Sequence, residues 1–224
     1  MKRITLLTIA LLNFISPINS EATTPENEVI ATNKDEDIII FAKKTDGFYE
    51  DFQIDYKGSV FHRPSWKNVT NPTYAPQIVY EDINSDNKKE LIIILTTGYG
   101  TGVLEEVVAV FHQNKDQSLR EVLVDNPLAI LNKNVKSSLN SEKAEIRIGK
   151  NHYEVNVARF SSYPERLFDE IFFGSIIQYE VIDKNLTVTL YPLVAPGVFI
   201  GSIIITYQYR DNMYQAKSIE FQPE

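Results

Sequence analysis

Cysteine is absent from all 224 residues, which excludes disulfide staples, thiolate metal sites and cysteine nucleophiles together. Glycine and proline are sparse, at nine and ten residues, far below what a collagenous or low-complexity chain carries. Cationic side chains are in deficit. Lys plus Arg total 22 against 30 Asp plus Glu, a formal charge of −8, so a phosphate-driven nucleic-acid interface is not expected. The three histidines, His62, His112 and His152, lie too far apart for zinc-type spacing. No Gly-x-Ser-x-Gly elbow occurs. After the first twenty residues no apolar run reaches the roughly 20 residues of a membrane span. What remains is an ordinary globular composition of 43% hydrophobic and 23% charged residues, sufficient for one sizeable domain or two small ones.

The amino terminus has the order of an export signal. Lys2 and Arg3 precede the apolar run Ile4 to Ile15, Pro17 breaks it, and small residues stand at Ser20 and Ala22. A charged end, an apolar core and a small-residue cleavage site define a secretory signal peptide, expected over residues 1–22, with cleavage after Ala22 or after Ser20. The mature chain is therefore expected outside the cell or in the cell envelope, with no integral membrane span. Residues 23–36 are polar and aperiodic and read as a flexible leader.

From residue 37 short apolar runs alternate with Gly, Asp and Asn turns, the grammar of strands. Examples are Ile38 to Ala42, Phe48 to Tyr56, Leu91 to Leu95, Val107 to Phe111 and Ser202 to Tyr209. Glu145 to Ile148 and Tyr153 to Val157 read as a hairpin about Gly149. Ser59 to Pro76, crossed by three prolines, reads as irregular. Two short helices are expected. One runs from Pro127, capped by Asn126, with Leu128, Leu131, Val135 and Leu139 on one face; the other runs from Pro164 to Gly174. The predicted fold is mainly β over 37–224, with about ten strands. Its sheets are antiparallel, in a sandwich or partial propeller-like arrangement, and two lobes, 37–131 and 144–224, are compatible with the polar seam between them.

The stretch Asp82-Ile83-Asn84-Ser85-Asp86-Asn87-Lys88-Lys89-Glu90 is the most informative. Oxygen-bearing side chains recur at its first, third, fifth and ninth positions, ahead of a buried strand. Such spacing turns oxygens into the concave side of a tight loop, where the Lys88 carbonyl can join them, and hard cations such as calcium take six to eight oxygens. A solvated Asp/Asn turn without metal is the competing reading. The segment resembles the calcium loops of FG-GAP and VCBS-type repeats, Asp-x-Asn/Asp-x-Asp-Gly-x-x-Asp/Glu before a hydrophobic strand. The likeness covers residues 77–112. It implies a structural calcium ion with Asp82, Asn84, Asp86 and Glu90 as side-chain ligands. Asn87 and Ser85 stand where glycines are usual. Only one such unit is present, whereas repeat folds stack several.

Weaker signals complete the reading. Thr96 to Gly102 is a glycine-rich connection whose spacing misses the dinucleotide pattern; it reads as an adaptable hairpin able to contact a ligand. Tyr56, Phe61, Trp66, Tyr74 and Tyr80 form an aromatic-rich stretch, either a sugar platform or packing residues. The leading expectation is a secreted, calcium-stabilised β protein with a non-catalytic binding or structural role toward an extracellular protein or glycan. The alternatives are a secreted hydrolase of cell-wall polymer or polysaccharide, and an extracellular sensor or partner-binding module that uses the glycine loop.

Overall fold

The computed structural model describes residues 27–158 and 166–224. The expected signal peptide, residues 1–22, lies outside the described residues, as do 23–26. The first sheet orders β1 (Asn27–Asn33), β2 (Ile38–Thr45), β3 (Phe48–Tyr56) and β4 (Ser59–Arg63), with the short β5 (Asn68–Val69) also paired to β3. Then come β6 (Gln77–Glu81), β7 (Glu90–Gly100), β8 (Val103–Gln113) and β9 (Leu119–Val122). Helix α1 (Pro127–Asn134) leads into a three-stranded sheet of β10 (Val135–Leu139), β11 (Lys143–Ile148) and β12 (Asn151–Asn156). The last segment contributes β13 (Ile176–Ile182), β14 (Asn185–Leu190), the small ribbon β15 (Leu193–Ala195) and β16 (Val198–Phe199), then β17 (Gly201–Arg210) and β18 (Met213–Pro223).

The central layer is an eight-stranded sheet ordered β18-β17-β14-β13-β8-β7-β6, with β9 on β8. Its ladders are antiparallel except β8 with β13, which meet in parallel at Leu104–Glu105. The sheet takes strands from both expected lobes, so 37–131 and 144–224 share one sheet rather than packing as separate ones. One isolated parallel bridge, Val124 to Tyr214, with Tyr214 N–H donating to Leu123 O at 2.8 Å and Asp125 N–H to Tyr214 O at 2.9 Å, brings the chain after β9 back to β18. No helix among them is long and apolar enough to cross a membrane.

Strand β7 explains the layering. Successive side chains on a strand point to opposite faces, and every residue from Leu91 to Leu95 is buried. Leu91, Ile93 and Leu95 pack with Ile38, Ile40, Phe52 and Ile54 of the first sheet. Ile92 and Ile94 face a larger core with Val188, Ile203, Ile205 and Tyr207, covered by Ile146 and Val155 of the β11–β12 hairpin. An unbroken apolar run is what a strand buried on both faces requires.

Several expectations are corrected. The leader reading of 23–36 gives way to β1 over Asn27–Asn33, paired antiparallel to β2; the sequence there lacks strong alternation, and edge pairing to a committed strand overrides it. Ser59–Arg63 is a strand paired to β3, and the prolines fall after it. Helix α1 stops at Asn134, and Val135 to Leu139 turns extended to pair with β11, because β-branched Val135 and the two serines hold a helix poorly. The expected helix over 164–174 does not form across 166–173, Pro164 itself lying outside the described residues. There Phe172 exchanges both backbone hydrogen bonds with Leu193, each 2.9 Å, so the backbone partners are a strand's. Among the described residues the strands number eighteen rather than about ten, many of them short.

Candidate functional site: the acidic loop between β6 and β7

The loop 82–89 joins two strands that pair from Gln77–Ile94 to Glu81–Glu90. Ile83 is buried in the larger core and pins the loop from below. Its backbone N–H donates to Glu90 Oε2 at 2.9 Å, and Asn84 Nδ2 donates to Glu90 Oε1 at 3.0 Å. Above them Asp82 Oδ1 and Oδ2 accept from the N–H groups of Asp86 (3.2 Å) and Asn87 (3.0 Å). Asn84 Oδ1 also accepts from Asp86 N at 2.8 Å. Asp86 Oδ1 accepts from Lys88 N at 2.8 Å. All of Asp82, Asn84, Asp86, Lys88 and Glu90 therefore belong to one curled loop. Ser85 and Asn87 take φ of 63° and 65°, left-handed at the two positions where the resembled pattern carries glycine.

The electrostatics are unusual. Glu90 is 2% exposed, and burial pushes its carboxyl up to about 7, with the Asp86 and Asp82 charges adding to the rise. Among the described residues, none of these three carboxylates has a Lys, Arg or His within ion-pair distance. Lys89 turns away to Glu36, at 2.6 Å, and lies over the Tyr80 ring. Lys88 is exposed. Beside the loop, Tyr214 Oη and His112 Nε2 lie 3.0 Å apart. Burial lowers the His112 imidazole, and the Arg120 charge lowers it further; burial raises the Tyr214 phenol, and Glu90 raises it further.

As a cation site the donor chemistry fits: carboxylates, an amide oxygen and backbone carbonyls are the ligands hard cations take, and the positive charge missing from the cluster is what an ion would supply. The shell is open, however. The three carboxylates do not bring oxygens within 4.8 Å of one another, and among the described residues only Glu145, His152 and Glu154 do so. Holding an ion at 2.3–2.6 Å thus requires the acidic side chains to close inward.

That second cluster was not legible from histidine spacing. Hairpin register makes it, pairing Glu145 with Glu154 and Arg147 with His152. Lys143 Nζ lies 2.6 Å from Glu145 and 3.1 Å from Glu154, with Arg147 3.3 Å from Glu145. Its charge is already neutralised by cations of the chain, which makes it a surface ion-pair network.

The remaining sequence candidates fall elsewhere. Trp66 packs edge-on to Phe52 (5.8 Å) and near Phe111 (6.2 Å), Phe61 stacks on Phe111, and Tyr56 and Tyr80 share a 2.8 Å hydroxyl contact. These aromatics fill the smaller core and its margin. Only Tyr74 leaves that group, to meet Tyr99 at 4.7 Å beside the glycine hairpin. There Tyr99 is 47% and Val103 46% exposed. A second buried carboxylate, Glu106, accepts from Tyr179 N at 2.7 Å. Thr96 opposes Glu106, six residues along β7 from Glu90, roughly 20 Å at strand rise. That separation is too wide for the two to flank one glycosidic bond. Comparison with protein families, with curated proteins and with solved structures gave no match, so the functional reading rests on these residues.

Proposed function

We propose that the chain is a secreted β protein whose β6–β7 loop is locked by calcium and whose role outside the cell is binding or structural rather than catalytic. The observation that carries this reading is Glu90: a carboxylate 2% exposed, flanked by Asp82 and Asp86, with no cationic side chain among the described residues to offset it. Unpaired buried charge is costly, and a divalent ion removes that cost at Glu90 while offsetting the charges of the half-buried Asp82 and the exposed Asp86. The left-handed backbone at Ser85 and Asn87 supports it, because that curl folds the loop back until Asp82 accepts from the N–H groups of Asp86 and Asn87. Calcium here fixes the entry to β7, the strand both cores share. The deciding test is thermal unfolding of the mature protein with calcium and with chelator. The melting temperature falls on chelation and recovers with calcium but not with sodium, while Asp86→Ala is indifferent to both. An identical calcium response in Asp86→Ala overturns the assignment.

A partner-binding role for the β7–β8 hairpin has its own support in the exposed Tyr99 and Val103 beside Gly98 to Gly102. Capture of a specific protein from culture medium by the immobilised chain, lost in Tyr99→Lys, tests it; equal capture by the variant refutes it.

A further inference from the structure

A trough of about 770 Å³ runs between helix α1 and the outer edge of β18, sharing no residue with the acidic loop and independent of the calcium reading. Its apolar lining comes from Ile130, Ile148 and Ile219, and its charge from Lys133, Arg210 and Lys217, against a single acid, Asp125. In a chain of net charge −8, a cavity lined by three cations and one acid reverses the local sign.

Each cation is placed by a separate element. Lys133 stands in the last turn of α1. Arg210 ends β17; its Nη2 bonds Gln215 and its Nε lies 3.4 Å from the exposed Asp211. Lys217 occupies a β-bulge: Thr206 pairs with Ser218 and Tyr207 with Ala216, so Lys217 is the extra residue between them. Bulges re-aim side chains and recur beside binding sites. Among the described residues neither Lys133 nor Lys217 has an acidic group within ion-pair distance. Lys133 and Lys217 thus line one apolar-floored trough with no ion-pair partner of their own among those residues, beside Arg210, which Asp211 answers, and the single lining acid Asp125.

We infer that this trough is a binding site for a small ligand carrying at least two anionic groups, phosphate or carboxylate, on a compact scaffold. The volume lies within the 300–1,000 Å³ usual for small-molecule sites. Separated cations select for spaced negative charges, and the isoleucine floor accepts the apolar face of the scaffold.

Calorimetric titration of the mature chain, at about 50 mM salt where screening is weak, tests it with three probes. Pyrophosphate stands for a phosphate source, trigalacturonate for an acidic sugar, and maltotriose is the neutral control. The expected result is binding of pyrophosphate or trigalacturonate, weakened about ten-fold in K133E/K217E and by added salt, with maltotriose silent. Reversal of the remote turn residue in Lys184→Glu leaves binding unchanged. All the substituted lysines are exposed, and unaltered melting temperatures confirm that the variants fold. No heat with either anion, equal affinity in K133E/K217E, or equal binding of maltotriose overturns the inference. A hexa-aspartate peptide that binds wild type and K133E/K217E alike also overturns it, reassigning the trough to strand addition along β18.

Discussion

The two ends of strand β7 invert the usual rule of burial in opposite ways. At its start Glu90, a charged residue, is hidden; near its end Tyr99, and across the turn Val103 of β8, are left in solvent. Between them Leu91 to Leu95 obey the rule without exception. A buried acid without a cation costs stability in isolation. On the proposed function an ion completes the surface at that end and a partner at the other. The middle of the strand is the rigid scaffold that holds them apart.

The comparison can be broken most severely at its centre. Ile92→Ala and Ile93→Ala each remove a buried isoleucine from one of the two cores and should cost about 2–5 kcal/mol by denaturant unfolding. Because β7 serves both cores, each variant unfolds in one transition; two separable transitions would show that the ends do not share a scaffold. Glu90→Gln comes next. The folded Glu90 binds its proton more tightly than an ordinary carboxyl, so without calcium its contribution is complete below about pH 4.5 and is lost as pH rises through about 7. The shift corresponds to about 3 kcal/mol. Calcium-free wild type should lose stability relative to Glu90→Gln over that window, the remaining slope of the variant coming from other carboxylates such as Glu106, which burial also raises; parallel pH profiles would refute the burial account.

Smaller effects sharpen each end separately. Ser85→Gly and Asn87→Gly relieve left-handed strain of about 1 kcal/mol each, raising stability and calcium affinity together. At the other end Gly102, with φ of 69°, resists side chains: Gly102→Ala should cost about 1 kcal/mol by the same reasoning. Tyr99→Ser should cost no more than about 1 kcal/mol, the loss of its ring contact with Tyr74 at 4.7 Å; a larger loss would make it chiefly a packing residue.

Much of this was written in local pattern. The Leu91 to Leu95 run, the Gly149 hairpin and the Asn126 cap, whose Oδ1 accepts from Ala129 N, each follow from chemistry within a few residues. The alternating oxygens of 82–90 were legible for the same reason. What was not legible depends on distant chain. The aromatic stretch became packing only because Phe111 of β8 receives Phe61 and Trp66. Asn68, fully buried, reads as an ordinary loop residue, yet its Oδ1 accepts from Thr96 N at 2.7 Å and ties β5 to β7. The stretch Leu167 to Phe173 has helical periodicity, but its Phe168 and Phe172 bond to the backbone of β15. The depth of Glu90 could not be read either: its burial comes from Ile83 and the larger core.

The central claim is that Glu90 surrenders its proton to let an ion in. Calcium titration by calorimetry at pH 6.5, repeated in buffers of different ionisation enthalpy, measures both events at once. The account predicts one ion per chain with proton release at pH 6.5, fading above pH 8 and absent in Glu90→Gln, where any remaining binding is weaker. Calcium binding without proton release, or release that persists in Glu90→Gln, would contradict it, as would the absence of binding.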